Sequence, residues 1–481
     1  MNSSPDQGAP VSPRRRPCVV STVLLLALSA ACTGASGSEA PPGAHGAKPG
    51  AAGVGDRLFP KMGNGGYDVT DYRLKLDYTR RSKHLKGTAT ITARATSALS
   101  SFHLDFAGLH VRKATVNGRT AETKRQGTEL VLTPAADLPK GRAFTTTVVY
   151  DGKPKTIKDP DGSEEGWITT DDGAVGLGEP TGSMAWFPGN HHPSDKARYD
   201  ITMTVPKGLS AVSNGELKQR RTNGSRTTFR WHSGEPMASY LATVAIGRFD
   251  VHKTTHGGLP QYVAVDPHLA GQSTKVPDQV GEVIDWENKT FGRYPFSSTG
   301  AIVDRLSGLG YALETQTKPY FPFAPDEILL VHELAHQWFG NSVTPRTWKD
   351  MWLNEGFATY AEWLWEEQHD GRSTDRTFRD FYDGTDDESD GIWDFPPADP
   401  PSAARVSDSP VYGRGAMVLH KLRRAVGDKA FFTIVRTWVK EHRHGNADTK
   451  QFIALSERIS GKDLTKLYDV WLFGKDKPAK P

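Results

Sequence analysis

Val331-His332-Glu333-Leu334-Ala335-His336-Gln337-Trp338-Phe339-Gly340 decides how the rest of this 481-residue chain is read. Residues four apart on a helix share one face, a turn apart. His332 and His336 therefore aim two imidazoles at one point, with Glu333 beside it. Imidazoles suit zinc, and a glutamate in the second position can take a proton from zinc-bound water. The surrounding residues support a helix with an apolar face of Leu329, Leu330, Leu334 and Trp338. Ala324-Pro325-Asp326-Glu327 reads as its start, with an early proline and acids in the first turn. Gly340-Asn341 reads as its stop. A catalytic zinc takes a third protein ligand and keeps a fourth position open. Trp352-Leu353-Asn354-Glu355-Gly356-Phe357-Ala358 supplies a carboxylate on a second helical stretch, with eighteen residues between His336 and Glu355. The expectation is one zinc per chain, held by His332, His336 and Glu355, with Glu333 as the base.

Composition leaves room for this reading and closes others. With 37% hydrophobic and 24% charged residues, the chain is globular and long enough for up to about three domains. Its only two cysteines are Cys18 and Cys32. The body therefore has no disulfide, no cysteine zinc site and no thiol nucleophile. The formal charge is +3; without residues 1–31 the balance is 56 basic to 55 acidic. Such neutrality gives no electrostatic footing for nucleic acid.

Residues 1–31 read as a signal peptide. Arg14-Arg15-Arg16 precede an apolar run, Val19 to Ala31, too short to span a bilayer alone, which takes about 20 residues. Leu28-Ser29-Ala30-Ala31-Cys32 resembles a bacterial lipobox, with Ser29 where an aliphatic residue is commoner. Cleavage before Cys32 and acylation of that cysteine would tether the protein to the outer face of the cell membrane. Ordinary cleavage nearby would release it instead. Residues 32–58, rich in Gly, Ala, Ser and Pro, read as a flexible tether.

Residues 59–253 read as an antiparallel β domain. Tyr72-Arg73-Leu74-Lys75-Leu76-Asp77-Tyr78 alternates, Phe144 to Tyr150 is β-branched and aromatic, and turn signals such as Val116-Asn117-Gly118 lie between such runs. Residues 254–478 carry helical periodicity, with stretches near 351–369, 412–426, 429–442, 449–458 and 463–472. The fold class is α+β.

The segments His332 to Gly340 and Asn354 to Ala358, at their spacing, closely resemble the aminopeptidase N family of zinc peptidases, which includes leukotriene hydrolase. The resemblance covers about Tyr67 to Gly474. It implies a thermolysin-like catalytic domain of mixed sheet and helices, without the family's large C-terminal helical domain. It also implies a zinc aminopeptidase acting on peptides. In Gly310-Tyr311-Ala312-Leu313-Glu314-Thr315, Glu314 fits the glutamate that binds the substrate's amino group. Tyr311 replaces a glycine there, Leu313 a methionine, and Thr315 an asparagine that contacts the peptide backbone. Tyr412, in Val411-Tyr412-Gly413-Arg414-Gly415, fits the tyrosine that stabilises the oxyanion. Glu179, in Leu177-Gly178-Glu179-Pro180, fits a second amine anchor, with Leu177 in place of glutamine.

Other residues attract attention and carry less. His191 and His192 are adjacent, so their side chains diverge, which argues against shared ligation. Asp350 and Glu362 either orient the site or serve as surface or capping groups. Trp363 and Trp365 read as core. Two alternatives to an aminopeptidase remain: a zinc endopeptidase with an open cleft, and a non-enzymatic binding protein. The second would be marked by loss of Glu333 or a ligand, and all are present.

Overall fold

The computed structural model describes residues 46–479, and the expected signal peptide and Cys32 lie outside the described residues. No described helix is long and apolar enough to cross a membrane. The part of the expected tether that is described behaves differently from a flexible linker. Lys48–Pro49 pair in parallel with the strand Leu99–Asp105, and Asp56, Leu58 and Phe59 are buried. The reason is local: the Asp56 carboxylate takes the Leu58 and Phe59 amides at 2.7 and 3.1 Å, which folds the segment back onto the body.

The first half is strand-rich. An eight-stranded sheet has at its centre the strands Lys196–Pro206, Tyr67–Thr79, His84–Ala95 and Ala143–Gly152. Along Tyr67–Thr79, Tyr72, Leu74, Leu76 and Tyr78 are buried while Arg73 and Lys75 are exposed. One face thus meets the core, as the alternation requires. Neighbours in this sheet are antiparallel except that Tyr67–Thr79 runs parallel to Lys196–Pro206. A five-stranded antiparallel sheet includes Thr156–Lys158, Glu164–Thr169 and Ala174–Leu177. It leads into the loop that carries Glu179.

The second half opens with a small mixed sheet. Asp250–His256 pairs antiparallel with Leu259–Val265, which runs parallel to Thr299–Val303. This sheet begins a few residues before the boundary expected at 254. Among the described residues eight α-helices follow or interleave: α1 Val276–Phe291, α2 Glu327–Ala335, α3 Trp352–His369, α4 Thr374–Asp383, α5 Gly415–Val426, α6 Asp428–Glu441, α7 Thr449–Ser460 and α8 Thr465–Trp471. The architecture is a β-rich N-terminal domain followed by a catalytic domain, and no separate large C-terminal helical domain is evident among the described residues.

α2 starts where expected, with Asp326 capping the Leu329 amide at 2.8 Å, but ends at Ala335 rather than near Gly340. The Asn341 amide turns back to the His336 carbonyl and the Gly340 amide bonds Val343. Gly340 has φ +118°, which favours glycine. His336 keeps helical dihedrals as the cap residue, so the one-turn relation to His332 survives. α3 is buried along nearly its whole length and packs on α5. A Cβ at Gly356 would lie 2.9 Å from the Gly415 carbonyl carbon. Two glycines thus let the backbones touch and bring the turn of Tyr412 against the helix of Glu355.

Candidate active site

α2 and α3 place the three expected ligands together. The Nε2 atoms of His332 and His336 each lie 3.3 Å from the same Glu355 oxygen. Their other ring nitrogens are engaged: His332 Nδ1 with Glu362, His336 Nδ1 with the Phe339 carbonyl at 3.0 Å. Those bonds turn both Nε2 atoms toward one point. Burial opposes charge on Glu355, yet His336 and His332 outweigh it and hold its carboxyl at about 2. Burial likewise opposes charge on His336, and Glu355 outweighs it, raising the imidazole to about 9. Two imidazoles and a carboxylate converging in a buried place are a donor set that fits zinc. The three ligand atoms lie within 4.8 Å of one another.

Glu333 lies beside them, 5% exposed, with Oε2 lacking a hydrogen-bond partner. Burial pushes its carboxyl up to about 7, against the pull of His332 and His336. A carboxylate held near neutrality is suited to taking and returning a proton.

Glu179 and Glu314 meet on the same cleft, and with Glu355 form a second group of close carboxylates. Burial raises both; Glu314 and Glu355 add to the rise on Glu179, and on Glu314 the nearby His336 opposes it. Each keeps an oxygen without a partner. An ammonium group would replace the proton such a pair retains. The Glu314 carbonyl accepts from Asn341 Nδ2 at 2.7 Å and Gln337 Nε2 at 3.3 Å. Residues just beyond the two histidines thus also fix the loop that carries Glu314. The sequence contained that signal in Gln337 and Asn341, whose role only the fold reveals.

Tyr412 sits in the π-turn Pro410–Arg414 at the start of α5, its ring 6.1 Å from that of His332 and nearly parallel to it. It lines the cleft of about 940 Å³ that also holds Glu179, Glu314, Glu333 and the ligands. Asp159, Asp161 and Glu388 line it too, and sequence reading missed all three.

Two departures from the expected pattern, Leu177 and Thr315, do not line the cleft, while Tyr311 and Leu313 do. Leu177 is fully buried. The Thr315 hydroxyl donates to the Lys318 carbonyl and is not free to replace an asparagine amide. Glu362 does orient one of the expected ligands, since it bonds His332 Nδ1. Asp350 does not: it accepts from the Thr449 amide and hydroxyl at 3.2 and 2.7 Å and from the Thr347 hydroxyl at 2.9 Å. His191 and His192 are buried against Phe187 and Asp56. Trp363 and Trp365 are core.

Two family models match: the Peptidase M1 N-terminal domain over residues 69–241 and the Peptidase family M1 domain over 326–471. A glutamyl aminopeptidase of Bos taurus is 30% identical over 319 residues, 61% of this chain and 33% of that protein. A leucyl aminopeptidase of Saccharolobus solfataricus is 24% identical over 454 residues, 86% of this chain and 54% of that protein. The chain thus matches between a third and a little over half of these curated relatives' length. An M1 zinc metallopeptidase of Deinococcus radiodurans superposes with TM-score 0.82 at 29% identity, covering 89% of this chain and 98% of that one. A mutant of that peptidase, bound to a Tyr-Ser-Ala substrate, also superposes with TM-score 0.82, at 28% identity, covering 89% of this chain and 99% of that one. With both domain models in sequence order and the zinc donor set assembled, the chain belongs to peptidase family M1.

Proposed function

We propose that the protein is a zinc aminopeptidase that removes the first residue of peptides. The observation that carries this reading is the pairing of the His332, His336 and Glu355 donor set with the Glu179–Glu314 acid pair on one cleft. Zinc, one per chain, would polarise the scissile carbonyl and make a water molecule acidic. Glu333 accepts the proton of the attacking water and returns it to the leaving amine. The Tyr412 hydroxyl donates to the developing oxyanion of the substrate, a role worth roughly 3–4 kcal/mol at comparable sites. Glu314, with Glu179, holds the free ammonium group, so only the first peptide bond reaches the zinc ligands. Kinetics on L-leucine 4-nitroanilide and on matched peptides with free and acetylated amino ends test this. The aminopeptidase reading expects the free peptides to be cut far faster. Equal rates would make the enzyme an endopeptidase.

We further propose that the mature protein works outside the cell, tethered through Cys32. The lipobox-like run supports this, and Cys32→Ser should release the protein or stall its processing. A native protein that is wholly soluble, with an N-terminus beyond Cys32, would refute it.

A further inference from the structure

Tyr311 stands where the family resemblance expects glycine, and its hydroxyl donates to the Glu164 carbonyl at 2.7 Å. That bond ties the amine-anchor loop to the hairpin of Thr156–Lys158 and Glu164–Thr169. The turn of this hairpin carries Asp159 and Asp161, which line the same cleft as Glu179, Glu314 and Tyr311. Tyr311 is within electrostatic reach of Glu179, Asp159 and Asp161 alike.

The charge of the cleft is one-sided. Nine of its lining residues are carboxylates, and none is lysine or arginine. Glu333, Glu355 and Glu362 serve the zinc centre, Glu179 and Glu314 the ammonium, and Asp326 caps α2. Asp159, Asp161 and Glu388 remain, and among the described residues no salt bridge engages them. Glu314, only 3% exposed, still presents an unpartnered oxygen to this space. The cleft therefore carries carboxylates beyond those assigned to the zinc donor set, the ammonium and the α2 cap.

A substrate side chain leaves the carbon next to the anchored ammonium. Tyr311 and the Asp159–Asp161 turn border the anchor loop on the cleft that such a side chain would enter. We propose that the Asp159–Asp161 turn, tied to the amine anchor by Tyr311, selects peptides whose first residue is arginine or lysine. This rests on the aminopeptidase reading above. A long basic arm can reach a carboxylate and form a charge-assisted hydrogen bond, whereas an acidic first residue is repelled.

The test uses the zinc-loaded full chain and the 4-nitroanilides of L-arginine, L-lysine, L-leucine and L-glutamate. For arginine and lysine, kcat/KM should exceed that for leucine by about tenfold. The advantage should shrink as salt rises from roughly 0.05 to 0.5 M, because exposed charges are screened. Asp159→Asn with Asp161→Asn should cut the arginine-to-leucine ratio by ~3- to 10-fold. Asparagine keeps the oxygen that takes the Asp161 and Gly162 amides, so the turn should survive. Tyr311→Phe, which removes the tie and keeps the ring, should lower the ratio in the same direction. Glu122→Gln with Asp137→Asn, exposed acids of the β domain away from this cleft, should leave it in place. A ratio near one, or one that the double asparagine variant does not move, overturns the proposal while leaving the aminopeptidase reading intact. If no free aminoacyl anilide is cut and acetylated peptides are, that reading falls and this one with it.

Discussion

Two buried clusters of charge differ in how completely their bonds are closed. At the N-terminal segment, Asp56 and His192 are each 1% exposed at the side chain and 3.2 Å apart. Asp56 also accepts from the amides of Leu58, Phe59 and Trp348, and His192 Nδ1 meets the Ser194 hydroxyl at 2.7 Å. Every polar atom of that pair has a protein partner. In the cleft, by contrast, Glu179, Glu314 and Glu333 each keep an oxygen without one. A buried unpaired polar atom costs about 1–3 kcal/mol. The first cluster is a clasp, holding the segment from Asp56 to Phe59 against Trp348 of the catalytic half. The second leaves unpartnered carboxylate oxygens on the residues that line the cleft.

The largest effects are expected at the three residues assigned to zinc. His336→Ala should lose bound zinc and all measurable turnover; metal analysis showing full occupancy would remove the assigned ligand set. Glu333→Gln should keep the metal and lose ~10²- to 10⁴-fold in kcat, since the amide cannot take a proton. Near-normal turnover in that variant would show that Glu333 is not the base.

Effects should diminish outward from there. Glu314→Ala should cost roughly ten- to a hundredfold in kcat/KM on substrates with a free amine, and much less on any blocked peptide that is cut. Equal losses on both would mean that the open carboxylate pair is not an amine anchor. Glu362→Gln should weaken zinc affinity by about tenfold, because His332 loses the acceptor that turns its ring. Competition with a chelator measures this, and unchanged affinity would demote Glu362 to packing.

The convergence of His332, His336 and Glu355 was legible because helix periodicity converts sequence spacing into geometry. His332 and His336 need only one helical turn, and Glu355 needs only a second helix packed on the first. The alternating strands around Tyr72 and Phe144 were legible for the same reason. The clasp was not, because Asp56 lies 136 positions from His192 and 292 from Trp348, and composition suggested a linker. Asp159 and Asp161 were equally hidden. The hairpin that carries them is held to the cleft by the bond between Tyr311 and Glu164 and by Glu165, which accepts from the amides of Thr181 and Gly182, contacts that no local pattern announces. The parallel pairing of Tyr67–Thr79 with Lys196–Pro206 joins strands more than a hundred residues apart and was invisible for the same reason.

The clasp should show its nature in stability and leave chemistry alone. Burial alone would raise the Asp56 carboxyl, but His192 and the amides of Trp348, Phe59 and Leu58 outweigh it and hold it at about 2, below the ordinary 3.8. A carboxyl depressed on folding stabilises the folded state above its unfolded value, and that contribution fades as pH falls through the folded one. The clasp should thus contribute about 2 kcal/mol above pH ~4 and little near pH ~2. Asp56→Asn removes the titration and retains the size. Urea unfolding of both proteins should therefore show a stability gap at pH 6 that narrows steadily between about pH 4 and 2. Turnover per folded molecule at pH 7 should match the wild type. A gap that stays constant across this range would mean that Asp56 stabilises by shape and not by charge. A loss of turnover in the folded variant would mean that the clasp reaches the cleft, and the two clusters would no longer be separate.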